Sequence, residues 1–296
     1  MTSRHTVSGL LEQLARILGR SQAQQESRWM RDLAKTEDRL QLMLKRRISG
    51  EPVQYILGTQ PFGPLELHVR PPVLIPRPET EDWTLRLAQR VSPTRQAPLK
   101  LLDLCTGTGC IPLLLCHLWP AGSVRTLAVD VASEAVALAK ENADQVGVRV
   151  SEKKATRSED NTISFLQADI LQDNFPKILK ELGWRSFDVL TSNPPYIPLD
   201  EYKALPSSVK DYEDLRALLG DPKLDVANDG RGLTFYRKIA ELVRHQLVKP
   251  GGLIALEVGH DQSNEVEQIM LSDGRVQKTH VWKDPWGVPR TVVCLK

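Results

Sequence analysis

From Leu99 onward, short apolar runs alternate with helical stretches, and this alternation constrains the fold more than any other feature of the chain. Leu101-Leu102-Asp103-Leu104 reads as a buried strand, residues 124–129 as a second ending at Asp130, and 163–166 as a third ending before Asp169. Residues 187–190 form a fourth, ending before Asn193, and 253–258 a fifth; two late strands are expected near 277–282 and 291–295. Strands that are apolar throughout must be covered on both faces, so helices between them imply a mainly parallel α/β sheet. Such sheets bind ligands at the carboxyl ends of their strands, where Asp130, Asp169 and Asn193 lie.

The preceding third is different. Leu10, Leu11, Leu14, Ile17 and Leu18 share one helical face, with Gly19 as a stop. Apolar spacing continues through Trp29, Met30 and Leu33 to Leu40, Leu42, Met43 and Leu44, so residues 1–50 are expected to be a small helical domain. Residues 51–78 hold Tyr55-Ile56-Leu57, Gly58, Phe62-Gly63 and alternating Leu65, Leu67 and Val69, which reads as a β-hairpin linker. Residues 79–296 then form the α/β domain, opened by a helix capped near Thr80 and running to about Val91. The charged stretch 151–161 reads as a solvated surface loop.

The chemistry sits in two places. In Asp103-Leu104-Cys105-Thr106-Gly107-Thr108-Gly109-Cys110-Ile111 a strand enters a glycine-rich turn and then a helix, which lets a ligand approach the backbone. Asp130, ending the next strand, is placed to accept both hydroxyls of a ribose, and Asp169 to bind an adenine amino group. Nicotinamide and S-adenosylmethionine folds share this layout. The third glycine of a dinucleotide fingerprint is replaced by Pro112, which favours S-adenosylmethionine, a ligand with no phosphate to seat on the helix.

The second place is Asn193-Pro194-Pro195-Tyr196, after the fourth strand. An amide or aromatic amino nitrogen is a poor nucleophile because its lone pair is delocalised. The Asn193 oxygen and the Pro194 carbonyl can each accept one N–H of such a group, and the two prolines stiffen the carbonyl direction. Both bonds aim the lone pair at a methyl carbon and support the charge that develops. Tyr196 is placed to pack on the planar group.

With these motifs the chain resembles the HemK/PrmC family, glutamine N5-methyltransferases that act on the Gly-Gly-Gln motif of class I release factors. The resemblance covers nearly the whole chain. It runs through Arg47 with residues 50–58, through 73–81, through 229–237, through 257–262 and through 287–292. It implies a seven-stranded, Rossmann-like, S-adenosylmethionine-dependent methyltransferase domain, with S-adenosylhomocysteine as product. By the same resemblance, Cys105, Thr106, Gly107, Thr108 and Gly109 line the methionine end of the cofactor. Asp130 serves the ribose, Asp169 and Ile170 the adenine, Asn193 to Tyr196 the glutamine, and Asn193 also borders the cofactor. Arg77 and Glu79 shape the pocket or a lid over it; a plain surface ion pair is the alternative. The chain departs from the family in having Cys105 where glycine is common and Asp214 where proline is usual. Cys105 and Gln60-Pro61-Phe62-Gly63 look most like the fungal mitochondrial branch.

The expected partner is a class I release factor gripped by the N-terminal domain, whose Arg46 and Arg47 either take part or form a solvated face. The expected enzyme is a monomer that needs no direct nucleic-acid or membrane contact. Its compartment is read as mitochondrial, from the family branch and, faintly, from first residues that carry Arg and Ser without acid, and otherwise as cytoplasmic. The four cysteines lack zinc-site spacing and read as small core residues. N6-adenine methylation of DNA or RNA is the competing activity. A flipped base needs a basic channel and stacking rings, whereas the net charge is +2 and aromatics are 5%. A non-catalytic binding module on a methyltransferase fold is the third reading; the intact Asn193, Asp130 and Asp169 argue against it.

Overall fold

A computed structural model describes residues 6–151, 159–222 and 230–296. Helices α1 (Val7–Leu18), α2 (Arg20–Ala34) and α3 (Glu37–Ile48) pack as a bundle. Leu10, Leu14, Met30, Leu40, Met43 and Leu44 form its core. Thr6 and Thr36 cap α1 and α3 through their hydroxyls, satisfying amides left free at the helix starts. Gly19, at φ +82°, is the single residue between α1 and α2. Arg47 Nε lies 2.6 Å from Glu26 Oε2, and Glu26 is only 3% exposed. Arg46 Nε donates to Glu51 at 2.7 Å. Both arginines are therefore engaged within the chain, and Arg47 is no solvated surface charge.

Helix α4 (Val53–Leu57) precedes the antiparallel hairpin of β1 (Thr59–Phe62) and β2 (Leu65–His68). The sequence reading placed Tyr55-Ile56-Leu57 in the hairpin; they form α4 instead. Pro52 opens that turn, and Gly58, left-handed at φ +83°, ends it. Helical geometry sends Ile56 into the bundle core and Tyr55 toward Val69 and Ile75, where its hydroxyl donates to Val73 O at 2.7 Å. Helix α5 (Pro78–Arg90) starts one residue after Arg77, so Thr80 is not its cap but lies within its first turn, fully buried. Proline tolerates that first position because its missing N–H would be unpaired there anyway.

The sheet is built from β3 (Leu99–Leu104), β4 (Val124–Asp130), β5 (Arg149–Val150), β6 (Thr162–Gln167), β7 (Phe187–Ser192), β8 (Val248–Glu257), β9 (Lys278–Lys283) and β10 (Pro289–Leu295). Their order is β5-β6-β4-β3-β7-β8-β10-β9, with β10 antiparallel to both neighbours and the other pairs parallel. All seven expected strands are present, and the two-residue β5 adds an eighth at one edge. Successive residues on each strand enter opposite cores. Leu101, Ala128, Val189 and Ala255 face one; Leu102, Val129, Leu190 and Ile254 face the other. The first core is closed by α5, α6 (Cys110–Leu118), α7 (Ser133–Gln145) and the hairpin. The second is closed by α8 (Phe175–Glu181) and by two helices later in the chain. Short helices α9 (Leu199–Ala204), α10 (Ser207–Lys210) and α11 (Leu215–Leu218) follow β7, and α12 (Thr234–Arg244) and α13 (Ser263–Ser272) complete the second layer.

Most of the proposed loop at 151–161 lies outside the described residues. Its last residue, Asn161, is buried: its Oδ1 accepts from Ser123 N and Val124 N, and its Nδ2 donates to Cys116 O and Trp119 O. Cys110, Cys116 and Cys294 are buried and free, and Cys105 is half-buried and free.

Candidate active site

The chain reverses direction across the sheet between β3 and β7, and the carboxyl ends of β3, β4, β6 and β7 converge on a cavity of about 200 Å³. Of the turn after β3, Cys105 and Gly107 line the cavity. Cys105 holds φ +59°, the left-handed region that glycine occupies without strain, which accounts for the family's glycine there. Gly107, at φ +56°, has open space where a side chain would point. Thr106, Thr108 and Gly109 build the turn rather than line the cavity. Thr106 N donates to Val129 O at 3.0 Å, and a Cβ on Gly109 would stand 3.2 Å from that of Ala139 on α7.

Asp130 Oδ2 accepts from Gly107 N at 2.9 Å and its Oδ1 from Ala132 N at 3.0 Å. Each oxygen retains a lone pair for a ribose hydroxyl. Burial raises this carboxyl above the usual carboxylate range, against the pull of those two amides. Asp169 is held in the same way by Leu171 N and the Gln172 amide, both at 2.9 Å. Val131, Ala132, Ile170 and Leu171 line the same cavity and supply apolar surface for a flat base. Two acids and an apolar lining in one cavity, beside an open glycine, fit S-adenosylmethionine. Behind them Asp103 is fully buried, with Oδ1 accepting from Thr191 Oγ1 at 2.6 Å. Burial pushes its carboxyl up to about 7, against the nearby Thr106 and Thr191 hydroxyls.

Asn193 and Pro195 border the cavity, and Pro194 is buried beneath them. Asn193 Nδ2 donates to Thr80 Oγ1 at 3.3 Å, and Thr80 Oγ1 contacts Glu257 Oε2 at 2.6 Å. Trp83 Nε1 donates to the same Glu257 oxygen at 2.8 Å. Burial raises the Glu257 carboxyl, opposed by the Thr80 and Trp83 bonds. The Tyr196 carbonyl accepts from Gln262 Nε2 at 2.8 Å; that nitrogen also donates to Arg231 O, while Gln262 Oε1 accepts from Gly259 N. A Cβ on Gly232 would overlap the Tyr196 carbonyl, so only glycine lets this loop close on the turn. Burial also raises the Tyr196 hydroxyl above its ordinary value.

Arg77 and Glu79 lie outside the cavity lining. Arg77 Nη2 is 2.6 Å from Glu213 Oε2, and the Glu213 side chain is 1% exposed, so the arginine ties the start of α5 to the segment after β7. That segment and residues 72–74 roof the cavity through Asp214, Arg216 and Ala217, joined by Asp214 N donating to Pro72 O at 2.8 Å. Sequence reasoning named Arg77 and Glu79 as shaping the pocket or a lid, but missed the Glu213 and Pro72 partners of this roof and the roles of Thr80, Glu257 and Gln262. The only available signal was their position in the family-like segments, which carries no information about partners.

Residues 12–58 match the PrmC N-terminal domain family. A protein of Thermodesulfovibrio yellowstonii described as "Release factor glutamine methyltransferase" is 35% identical over 254 residues, covering 86% of this chain and 80% of the relative. One with the same description from Caulobacter vibrioides is 36% identical, covering 79% and 70%. A Schizosaccharomyces pombe protein described as "Probable MRF1 mitochondrial N(5)-glutamine methyltransferase mtq1" is 34% identical, covering 77% and 70%. The fungal relative is thus no nearer than the bacterial ones. Identity at this level along most of both chains, with the cavity and the Asn193 turn in register at the switch point, means that the chain belongs to the release factor glutamine methyltransferases.

Proposed function

We propose that the chain transfers the methyl group of S-adenosylmethionine to the side-chain amide nitrogen of the glutamine in the Gly-Gly-Gln motif of a class I release factor. The observation that carries this is the Asn193–Tyr196 turn, fixed at the rim of a cavity whose acids fit an adenosine. Cys105 and Gly107 border the methionine end, Asp130 accepts the ribose hydroxyls, and Asp169 and Ile170 hold the adenine. When bound, the sulfonium supplies an electrophilic methyl. Asn193 Oδ1 and the Pro194 carbonyl each accept one N–H of the glutamine amide, which holds the amide plane so that its lone pair faces the methyl carbon and favours the charged nitrogen as it forms. The proton leaves after transfer, so no strong base is required. Tyr196 packs on the amide, and Arg77 and Glu79 act from outside, through the roof and the local field.

The mitochondrion is the compartment we propose, supported by the printed description of the fungal relative. The test is mass spectrometry of a release-factor domain incubated with the protein and S-adenosylmethionine. One methyl on the Gly-Gly-Gln glutamine is expected, with Asn193→Ala reducing kcat at least ~100-fold while S-adenosylhomocysteine still binds. Methyl incorporation into nucleic acid instead would transfer the site to N6-adenine chemistry.

A further inference from the structure

We propose that Thr80 and Glu257 are positioning residues that fix which end of the Asn193 side-chain amide faces the substrate, and so make the site choose an amide over a carboxylate. The inference rests on the reading of Asn193 as the acceptor for the substrate N–H.

Asparagine is ambiguous in isolation, because a half-turn about its last bond exchanges an acceptor for a donor. The orientation here is imposed from behind. Thr80 and Trp83 stand one helical turn apart on α5 and both reach Oε2 of Glu257, at the end of β8. The indole N–H is a donor only, so Oε2 is an acceptor. An oxygen already accepting the indole proton is the poorer place for a carboxyl proton, so the 2.6 Å contact to Thr80 takes its hydrogen from the threonine hydroxyl. With that hydrogen committed, Thr80 Oγ1 has only lone pairs left for Asn193. An amide nitrogen satisfies them at 3.3 Å, whereas an amide oxygen would set two acceptors against each other. Thr80 and Glu257 are 2% and 1% exposed, so water does not supply the alternative. Asn193 Oδ1 is thus left on the side away from Thr80. A glutamine presents an N–H to that oxygen; a glutamate presents a second acceptor and is repelled.

The experiment compares wild type with Thr80→Val, which keeps the shape but has no hydroxyl, with Thr80→Ser, which restores it, and with Glu257→Gln, whose carbonyl can still accept. Two readouts are taken. Side-chain amide exchange in protein labelled with 15N-asparagine is followed by NMR, the Asn193 signal being assigned by its loss in Asn193→Ala. Slow exchange is expected in wild type, Thr80→Ser and Glu257→Gln, and fast exchange in Thr80→Val. A release-factor domain with glutamate in place of the Gly-Gly-Gln glutamine then serves as inhibitor. Its inhibition constant relative to the KM of the glutamine form is expected to fall about tenfold in Thr80→Val, with kcat also down about tenfold, and to hold in Thr80→Ser. Thr80→Val that keeps both slow exchange and the wild-type ratio overturns the proposal, as does Glu257→Gln that loses them while folded. If wild type methylates no release factor but exchange follows the threonine hydroxyl, the relay stands and the proposed function falls.

Discussion

Single residues in this site are chosen as much for backbone shape as for side-chain chemistry. Cys105 occupies a left-handed conformation, at a cost of about 1 kcal/mol for an L-residue. A β-branched side chain suffers more there, so Cys105→Val is expected to lose about 1–3 kcal/mol in urea denaturation. Cys105→Gly should stay within about 1 kcal/mol of wild type, since relief of strain offsets the freedom gained by the unfolded chain. Equal losses in both variants would mean that thiol packing, not the backbone, governs the position. The two acids and Asn193 were legible in the sequence because each ends an apolar strand. What they touch was not: Asp130 binds a glycine amide 23 residues earlier, and Asn193 a threonine 113 residues earlier.

Among the elements, the roof over the cavity shows how a departure from a family pattern is absorbed. Asp214 sits at φ −62°, which a proline could also adopt, so the usual family residue would fit the backbone. Aspartate adds what proline cannot: an N–H given to Pro72 O, and a carboxylate that accepts Arg216 N at 2.8 Å to cap α11. Burial works against that carboxylate, but Arg216 outweighs it and holds the group below its ordinary value. Asp214→Pro is expected to weaken S-adenosylhomocysteine binding about fivefold by calorimetry, the equivalent of one net hydrogen bond, with little change in melting temperature. Unchanged affinity would separate the roof from cofactor retention. The seven main strands and the N-terminal helical region were readable from apolar period and glycine stops, whereas β5 and the short helices α8 to α11 were not. Helix α4, read as part of the hairpin, is a single turn, too short for its period to be told from a strand's.

Across the whole molecule, one buried polar side chain ties the hairpin to the α/β domain beside the apolar packing of Phe62, Leu65 and Leu67. Asn142 on α7 accepts from His68 N at 2.7 Å and donates to His68 O at 3.1 Å and Thr108 O at 3.0 Å. It therefore joins the hairpin, the helix after β4 and the glycine turn. Asn142→Ala strands three backbone groups and is expected to cost about 3 kcal/mol in denaturant unfolding. A loss under about 1 kcal/mol would show that apolar packing of Phe62, Leu65 and Leu67 holds the hairpin without it.

The sequence alone determined the sheet and its handed alternation with helices, because burial on both faces requires continuous apolar strands at a period independent of distant partners. It also pointed to the strand ends that line the cavity, since strand ends at a switch point are a property of connectivity. Tertiary structure decided the rest. The eighth strand, the Arg77–Glu213 tie, the roof and the Glu257–Thr80–Asn193 line all depend on hydrogen bonds and ion pairs between segments far apart in the chain. Polar contacts of that kind are short-ranged and directional, so they are set only when the core has brought the segments within about 3 Å of each other.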